Sequence, residues 1–475
     1  MTFAQFCMAL LGALRRVLAS PAFKAGIISV LTLFLLIPTV MVSSLVDERQ
    51  FRARDVAEDI AAGWGRKQTV IGPVLVSYFI EEVPREETVN GEVRRRTERY
   101  RRWAVSLPRD LDIRAKIATE DRKLSLYSLP VYRADIRLTG HFAPMTADRV
   151  PPRHGGQVRA SDEQPRVIAS LSELRSVKSE ILLVVDGGKP RAFEPGTAGT
   201  GLPGNTGYAI NSTVTPAEAT SGFGFEIPIV LNGSSAFHVA PMGRTTQVSL
   251  TSNWPHPGFA GGLLPDQREI TADGFTASWS LPNLARGLPD VEFDGRLPFE
   301  LGTLGVNLVQ QVDLYQTIDR SVKYAIFFIT LTFLAVFLIE MRAPGRVHWT
   351  QYGLTGLALV VFYVMLLALA EHVGYDIAYL AASTAVTLLI AIYIGLLVAS
   401  RRAGLVMGLV LASVYGTLYL LMREEDYAML VGSFIAFAAI AVTMFATRKL
   451  DWSGAGPEQD PVLNLDAGAM AEPRT

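Results

Sequence analysis

The chain has 475 residues, and its 44 Lys and Arg residues nearly balance its 45 Asp and Glu residues, which gives a formal net charge of −1. This balance supplies no basic patch for nucleic acid and disfavours a nucleic-acid-binding protein. The one cysteine, Cys7, excludes an intramolecular disulfide and the paired cysteines of a structural zinc site. Hydrophobic residues make up 49% of the chain and are concentrated in a few segments, which predicts a membrane part and a polar part.

The amino-terminal segment predicts a membrane anchor. Residues 1–24 have an amphipathic pattern, and residues 25–46 are long and apolar enough for one transmembrane helix. A cleaved signal peptide, with Val42 and Ser44 as the small residues before the cut, is the alternative. The apolar run is longer than a usual signal core, so we favour the anchor.

Residues 47–323 predict a large antiparallel β-rich region. Its first apolar residues recur at helical spacing as far as Trp64, and Gly65 is a natural helix stop. Short β-branched or alternating runs follow, bounded by Gly, Pro and Asp, and Asn90-Gly91 predicts a tight hairpin turn. We expect a helix near residues 168–180, with two β lobes flanking it as one arrangement of the strands.

Five further apolar segments predict a membrane bundle. Each has roughly the 20 residues that an α-helix needs to cross ~30 Å of hydrocarbon, and only short polar turns separate them. Because they are apolar on all sides, they are typical of membrane helices rather than of a soluble core. The segments are residues 324–341, 352–370, 377–399, 403–422 and 427–446, and a cytoplasmic tail predicted to be disordered follows at residues 448–475.

The distribution of basic residues predicts the orientation. Lys and Arg precede the first apolar segment and recur in every second short loop, whereas the other short loops are mainly acidic. The positive-inside rule then places both termini in the cytoplasm and residues 47–323 in the periplasm of a bacterium with an inner membrane.

The first candidate binding segment contains Trp254, His256 and Phe259. These residues stand among several Pro and Gly residues, which are typical of a loop rather than of a central strand. Aromatic side chains in such a loop suit stacking on a sugar, on a protein partner or at the membrane interface. The alternative is that Trp254 and Phe259 cover the β core and that His256 is an incidental surface residue.

The second candidate segment contains Asp313, Tyr315, Asp319 and Arg320, directly before the second apolar segment. One hypothesis is that these residues couple the β-rich region to the membrane bundle. The alternative is a solvated segment at the membrane surface, with Tyr324 as an interface anchor.

Polar residues inside the apolar segments give weaker evidence of function. No ionisable side chain lies at mid-depth, where a proton- or ion-coupled transporter usually carries one. Gly404 and Gly408 predict close helix packing. Several hydroxyl residues fit either the lining of a path or hydrogen bonds between helices: Thr384, Thr387, Tyr393, Ser413, Tyr415 and Thr417.

Motifs of familiar enzymes are absent from residues 47–323. The sequence there lacks Ser-x-x-Lys, Gly-x-Ser-x-Gly and His-Glu-x-x-His. His141 and His238 have no Asp, Glu or Cys at a convincing ligand spacing. We therefore predict a protein that is not an enzyme, with no catalytic residue, no metal and no cofactor.

Long motifs in the chain resemble a known family. WGRKQTVIGPVLVSY, LNGSSAFHVAPMGRTTQVSLTSNWPHPGFAGGLLP and AEHVGYDIAYL carry the resemblance, which extends over nearly the whole chain outside residues 1–20 and the tail. They are similar to the bacterial inner-membrane family CreD, also described as cell envelope integrity proteins. The resemblance implies a role in envelope integrity and in the response to β-lactam antibiotics and envelope stress, and it supplies no catalytic residue or ligand.

Three functions are compatible with these features. The first is a non-enzymatic envelope protein that lies in the lipid bilayer and whose periplasmic region binds a periplasmic protein or a cell-wall component. The second is a carrier or flippase for an envelope precursor, which a polar cavity reaching the middle of the bundle would favour. The third is an envelope hydrolase of unfamiliar type, which would need acidic or nucleophilic side chains converging in a pocket of the β-rich region.

Overall fold

The chain folds into two units. The computed structural model describes residues 21–89, 92–197, 208–295, 302–308, 314–342, 347–423 and 428–448. Met1–Phe51 and Val312–Thr475 belong to one unit, here called the helical unit, and Arg52–Gln311 form the other, here called the β unit. The predicted amphipathic helix before residue 21, the Asn90-Gly91 turn and the tail beyond Arg448 lie outside the described residues.

Ten α-helices and eighteen strands are assigned within the described residues. The helices are α1 (Pro21–Phe34), α2 (Leu36–Trp64), α3 (Pro216–Ser221), α4 (Asn283–Arg286), α5 (Leu314–Lys323), α6 (Ala325–Glu340), α7 (Trp349–Val373), α8 (Tyr375–Leu397), α9 (Arg401–Arg423) and α10 (Ala428–Thr447). The strands are β1 (Gln68–Val89), β2 (Glu92–Ser106), β3 (Asp110–Leu124), β4 (Tyr127–Phe142), β5 (Gln157–Ala160), β6 (Arg166–Leu171), β7 (Leu182–Val185), β8 (Arg191–Ala192), β9 (Glu194–Pro195), β10 (Tyr208–Thr213), β11 (Phe223–Ser234), β12 (Ala236–Ala240), β13 (Thr245–Ser252), β14 (Pro257–Gly261), β15 (Gln267–Thr271), β16 (Gly274–Leu281), β17 (Val291–Phe293) and β18 (Leu304–Leu308).

The strands of the β unit form two sheets. The first has the order β14-β18-β12-β1-β6-β10-β9, with β2 and β5 also paired to β1 and β17 paired to β2. The second has the order β15-β16-β13-β3-β4-β11-β7-β8. Side chains alternate between buried and exposed along β3 and β13, as expected for sheets that bury one side. The predicted hairpin is confirmed, because β1 and β2 pair antiparallel as far as Val89 opposite Glu92.

Two details of the β prediction are wrong. The sheets are mixed rather than purely antiparallel, because β1 pairs with β12 and β3 with β13 in parallel. Two lobes do not form, because side chains of both sheets, including Leu75 and Ile113, contribute to one hydrophobic core. Parallel pairs join strands far apart in sequence, so local pattern and turn signals do not reveal them.

The helix predicted near residues 168–180 is also wrong. Residues Arg166–Leu171 form strand β6, which lies between β1 and β10, and only a 3₁₀ turn at Leu174–Ser176 follows. Val167 to Leu171 are all buried. A continuous apolar run of a fully buried strand has no period of two, so its pattern is easily confused with that of a helix.

The helix prediction for the start of the β unit is confirmed. Helix α2 ends at Trp64, and Gly65 has a φ of +147°. A Cβ atom at Gly65 would lie 2.7 Å from the carbonyl oxygen of Asn232, so a larger residue does not fit there. Glycine is required because it avoids both the backbone strain and this contact.

The helical unit contains the apolar helices that the sequence predicts. Among the described residues, five helices are long and apolar enough to cross a membrane, and α5 and α6, bent by 46°, make a sixth if they count as one span. Helices α8 and α9 approach closely where Gly395 meets Gly404, since a Cβ on Gly395 would lie 3.2 Å from the Gly404 Cα. The interpretation of Gly404 as a packing residue is therefore confirmed.

Ion pairs attach the first apolar helix to its neighbours at both ends. Lys24 pairs with Glu340 of α6, which also accepts hydrogen bonds from the Tyr352 hydroxyl (2.9 Å) and the Val347 N–H (2.9 Å). At the other end Arg49 lies 3.7 Å from Glu371 of α7. Twenty-five residues of helix span about 37 Å, slightly more than the ~30 Å of a hydrocarbon core. The two carboxylates therefore lie near the ends of the apolar layer and not within it.

Candidate functional site: a tyrosine-lined groove

The segment with Trp254, His256 and Phe259 is divided between a loop and an edge strand. Pro257–Gly261 form β14 at the edge of the first sheet, with Phe259 opposite Val306 of β18. The Phe259 ring makes edge contacts with Phe275 (5.7 Å between centroids) and Trp279 (6.1 Å). The loop prediction is confirmed for Trp254 and His256, which lie between β13 and β14. It is wrong for Phe259, because a proline at the first residue of an edge strand removes no required hydrogen bond.

Trp254 and Phe259 pack as the core-covering alternative describes. Both side chains are half-buried against the core between the two sheets. The Trp254 indole N–H donates to the carbonyl oxygen of His256 at 3.1 Å, which holds the ring over its own turn. Binding by these three residues remains a prediction.

The predicted coupling segment forms α5 in the helical unit. Asp313 lies outside the described residues. Tyr315 is buried and its hydroxyl donates to Glu371 at 3.2 Å, while Asp319 pairs with Lys323 at 2.6 Å. An Nη2 of Arg320 lies 3.5 Å from the carbonyl oxygen of Met422 in α9.

Helix α5 thereby contacts the helices that form a groove. Besides the Arg320 contact with α9, the Ser321 hydroxyl lies 3.3 Å from the Tyr375 hydroxyl at the start of α8. One side of α5, including Ile318 and Val322, is buried. The segment is therefore an amphipathic helix packed on the bundle rather than a solvated connection.

The groove lies between α8 and α9 and has a volume of about 640 Å³. It begins at Asp376 in the first turn of α8 and reaches Thr387 and Leu388, midway along that helix. Its walls carry the following side chains: Asp376, Ile377, Tyr379, Leu380, Ser383, Thr384, Thr387 and Leu388 from α8, and Ala412, Tyr415, Gly416 and Tyr419 from α9. The lining combines hydroxyl and apolar groups, a composition that suits an amphiphilic ligand.

Tyr415 is the most informative side chain of this groove. It is 6% exposed, and within the described part of the chain its hydroxyl has no hydrogen-bond partner. Its ring is held against Phe362 of α7 at 4.7 Å, and its backbone carbonyl accepts the Tyr379 hydroxyl at 2.6 Å. The hydroxyl oxygen is itself buried, so Tyr415 lines the groove through its other atoms.

Charged groups mark the mouth of the groove. The Tyr419 hydroxyl donates to one carboxylate oxygen of Asp376 at 2.8 Å. Arg423 lies 3.5 Å from the other oxygen, and the side chains of Asp376 and Arg423 are 61% and 62% exposed. The mouth thus presents one anion and one cation to the solvent.

The sequence interpretation found part of this site. Thr384, Thr387 and Tyr415 do line the groove, whereas Tyr393, Ser413 and Thr417 are not among its lining residues. Tyr379, Tyr419 and Asp376 were missed. The spacing of Tyr375 and Tyr379, and of Tyr415 and Tyr419, puts each pair on one helix face and would have been the available signal.

The β unit has a second pocket with a volume of about 620 Å³. Lys116, Glu269 and Asp273 line it, but all three are exposed to solvent. Exposed, solvated charges lack the water-excluded setting in which catalytic groups usually act. This pocket therefore gives little support to the hydrolase hypothesis.

The strongest buried charge cluster of the β unit surrounds Glu81. Its carboxylate is fully buried and lies 2.5 Å from Arg102, which also pairs with Asp294. It accepts hydrogen bonds from the backbone N–H groups of Arg153 (3.0 Å), His154 (2.6 Å) and Gly156 (3.1 Å). Burial alone would raise the pKa of Glu81, but these four donors lower it to about 2.

The Glu81 cluster therefore stabilises the fold of the β unit and is not arranged as a substrate-binding site. Each oxygen of the carboxylate has two donors, so the group has no capacity left for a substrate. The cluster ties the segment around residues 151–156 to β1 and β2. Within the described residues no group of three or more His, Cys, Asp and Glu side chains is arranged to hold a metal ion.

The apolar helices and the groove between them define a class: a multi-helix membrane protein with a large two-sheet β unit inserted after its first apolar helix. Sequence comparison identifies the family within this class. The family model for "Inner membrane protein CreD" matches residues 20–453, so the chain belongs to the CreD family of inner membrane proteins. The family resemblance stated from the sequence motifs is confirmed.

A curated relative and a solved structure show further similarity. The inner membrane protein CreD of Escherichia coli strain K12 is 30% identical over 426 residues, which cover 88% of this chain and 91% of that protein. A crystal structure of a putative nutrient binding protein from Legionella pneumophila aligns with 59% of this chain and 89% of its own, at 10% identity and a TM-score of 0.22. A similarity that weak supports no inference about this chain.

Proposed function

We propose that this chain supports cell envelope integrity as a non-enzymatic protein of the inner membrane, and that it does so by binding an amphiphilic molecule in the tyrosine-lined groove. The lining of the groove carries the proposal, since it joins a charged mouth to walls that combine hydroxyl and apolar side chains. An amphiphilic molecule can satisfy both kinds of group at once.

The proposal also covers the orientation of the protein in the membrane and its role in the cell envelope. Both termini are cytoplasmic and the β unit is periplasmic, as the basic loops indicate. There the β unit binds a periplasmic protein or a cell-wall component, and the protein contributes to the response to β-lactams and envelope stress. Helix α5 follows the last strand of the β unit in sequence and contacts both groove helices through Arg320 and Ser321, which supports a coupling role for this segment.

A carrier or flippase for an envelope precursor is the second candidate function. The observation that favours it is the depth of the groove, because hydroxyl groups continue as far as Thr387 in the middle of α8. A carrier must hold the polar part of its cargo at this depth. The groove lining does not extend into the second half of α8, so binding is the better supported function.

The test uses a glycine that lines the groove. A Cβ at Gly416 would meet no atom within 4 Å, and the same is true of Gly432 on α10, which does not line the groove. A side chain therefore has room at its Cβ at both positions, so Gly416→Phe is the variant that fills the groove and Gly432→Phe is the matched control. The full chain is purified in mild detergent, and the lipids that remain bound are identified by mass spectrometry.

We expect wild type and Gly432→Phe to retain a bound amphiphile and Gly416→Phe to lose it. In cells that lack the wild-type protein, Gly432→Phe should restore envelope integrity and Gly416→Phe should not, at equal abundance. Full retention and full complementation by Gly416→Phe would refute the proposal.

A further inference from the structure

The chemistry of the groove changes in a fixed order from its mouth inward. Asp376 and Arg423 lie at the mouth, with Tyr419 hydrogen-bonded to the carboxylate. One helical turn further in, Tyr379 and Tyr415 contribute a layer of hydroxyl and ring groups. Beyond them hydroxyl groups continue along α8 as far as Thr387, beside apolar side chains such as Leu388 and Ala412.

This order matches the parts of a membrane lipid. A phospholipid has a charged headgroup, then ester groups that accept hydrogen bonds, then hydrocarbon chains. The ester groups are acceptors without donors, so they are suitable partners for the hydroxyl groups of Ser383, Thr384 and Thr387 that line the groove. Tyrosine is favoured at this depth because its ring is apolar and its hydroxyl is polar.

The length of the groove matches the thickness of one membrane leaflet. Asp376 and Leu388 are about 18 Å apart along α8 at 1.5 Å per residue. Half of a ~30 Å hydrocarbon core is about 15 Å, and the charged mouth adds the depth of a headgroup. The groove therefore holds a molecule that belongs to a single leaflet.

The two charges at the mouth select the headgroup. A lipid with only negative charge, such as phosphatidylglycerol or a polyprenyl phosphate, would bring its phosphate close to the Asp376 carboxylate, and like charges repel at this distance. A zwitterionic headgroup satisfies both side chains, because its ammonium pairs with Asp376 and its phosphate with Arg423. Arg is well suited to phosphate, which it contacts through two parallel N–H donors.

We propose that the groove is a binding site for a zwitterionic phospholipid of one membrane leaflet. Asp376 binds the ammonium group, Arg423 binds the phosphate, and the hydroxyl groups along α8 face the ester region. This inference rests on the proposed function, because it specifies the amphiphile that the groove binds.

The experiment uses the full chain in nanodiscs made from equal amounts of phosphatidylethanolamine and phosphatidylglycerol. The protein is released into mild detergent, and the lipids that remain bound are counted by native mass spectrometry. Wild type should retain phosphatidylethanolamine over phosphatidylglycerol by about tenfold, the ratio for one charge-assisted interaction of about 1.4 kcal/mol. Asp376→Asn should remove this preference.

Glu48→Gln is the matched control for charge. Glu48 is an exposed carboxylate of α2 near the same end of the helical unit as Glu371, and it does not line the groove. This variant should keep the wild-type preference. Replacing phosphatidylethanolamine with phosphatidylcholine, which is also zwitterionic, should keep the preference over phosphatidylglycerol.

Two results would overturn the inference: equal retention of both lipids by wild type, or a preference that Asp376→Asn leaves unchanged.

The Gly416→Phe variant distinguishes a failure of this inference from a failure of the proposed function. If Gly416→Phe abolishes lipid retention while wild type shows no headgroup preference, the groove binds an amphiphile but is not selective for zwitterions. If Gly416→Phe retains the same lipids as wild type, both the proposed function and this inference fail.

Discussion

Replacing Arg102 tests how far the β unit depends on its buried charge cluster. The guanidinium contacts Glu81, Asp294 and the carbonyl oxygen of Pro151, and the Arg102 side chain is only 5% exposed. Arg102→Met keeps much of the side-chain volume and removes the charge. Both carboxylates then remain in the interior without their main counter-ion.

The expected cost follows from the contacts that remain. Removing one partner of a buried ion pair costs about 3–5 kcal/mol. Glu81 keeps three backbone N–H donors, and Asp294 keeps the backbone N–H of Trp103 at 3.1 Å, so we expect the lower end of this range. At about 2–4 °C per kcal/mol for a domain of roughly this size, the melting temperature should fall by about 6–12 °C.

The assay is thermal unfolding of the full chain in detergent, followed by tryptophan fluorescence. Four of the six Trp residues lie in the β unit, so the signal reports mainly on that unit. Arg99→Met is the matched control on the same strand, because Arg99 is 70% exposed and pairs with Glu82 at 3.2 Å. An exposed pair contributes about 0–1 kcal/mol. If Arg102→Met and Arg99→Met both melt within about 2 °C of wild type, the buried charge cluster does not contribute about 3 kcal/mol to the stability of the β unit.

The same cluster predicts a dependence on pH. The pKa of Glu81 in the folded protein is about 2, below its ordinary value of 4.5, because the donors around it stabilise the charged form. The stability that Glu81 contributes is therefore fully present above about pH 4.5 and is lost as the pH falls toward 2. Glu81→Gln should reduce the fall in melting temperature over this interval. An identical fall in the variant would show that another group causes it.

Three further predictions concern other parts of the chain. Glu340→Ala removes the acceptor shared by Lys24, the Val347 N–H and the Tyr352 hydroxyl, and it should lower the stability of the helical unit by about 3 kcal/mol. The loss is measured as the decrease in monodisperse protein after heating, and unchanged heat resistance would contradict the prediction. Trp254→Ala with Phe259→Ala should destabilise the β unit by about 3 kcal/mol or more; if fluorescence melting is unchanged while envelope integrity is lost, the two side chains act in binding instead. A topology reporter inserted in residues 200–207 should be active only in the periplasm, and cytoplasmic activity would reverse the orientation.

The sequence by itself determined the features that depend on local properties. The apolar segments are recognisable because length and hydropathy decide whether a helix suits a membrane, and neither depends on the partners of that helix. The end of α2 before Gly65 and the antiparallel pairing of β1 with β2 are also local features, since a glycine and an Asn-Gly sequence are short-range signals for a helix end and for a hairpin. The family motifs added the class of protein.

Only the tertiary structure decided what depends on contacts between distant residues. Residues 166–171 form a strand because β1 and β10 pair with them on both sides, and Phe259 belongs to a strand because β18 pairs with it. Helices α8 and α9 pack directly against each other, with a close approach at Gly395 and Gly404. Their packing brings Asp376 beside Tyr419, 43 positions later in the chain. No local pattern contains this proximity, because it depends on how two helices pack and not on either helix alone.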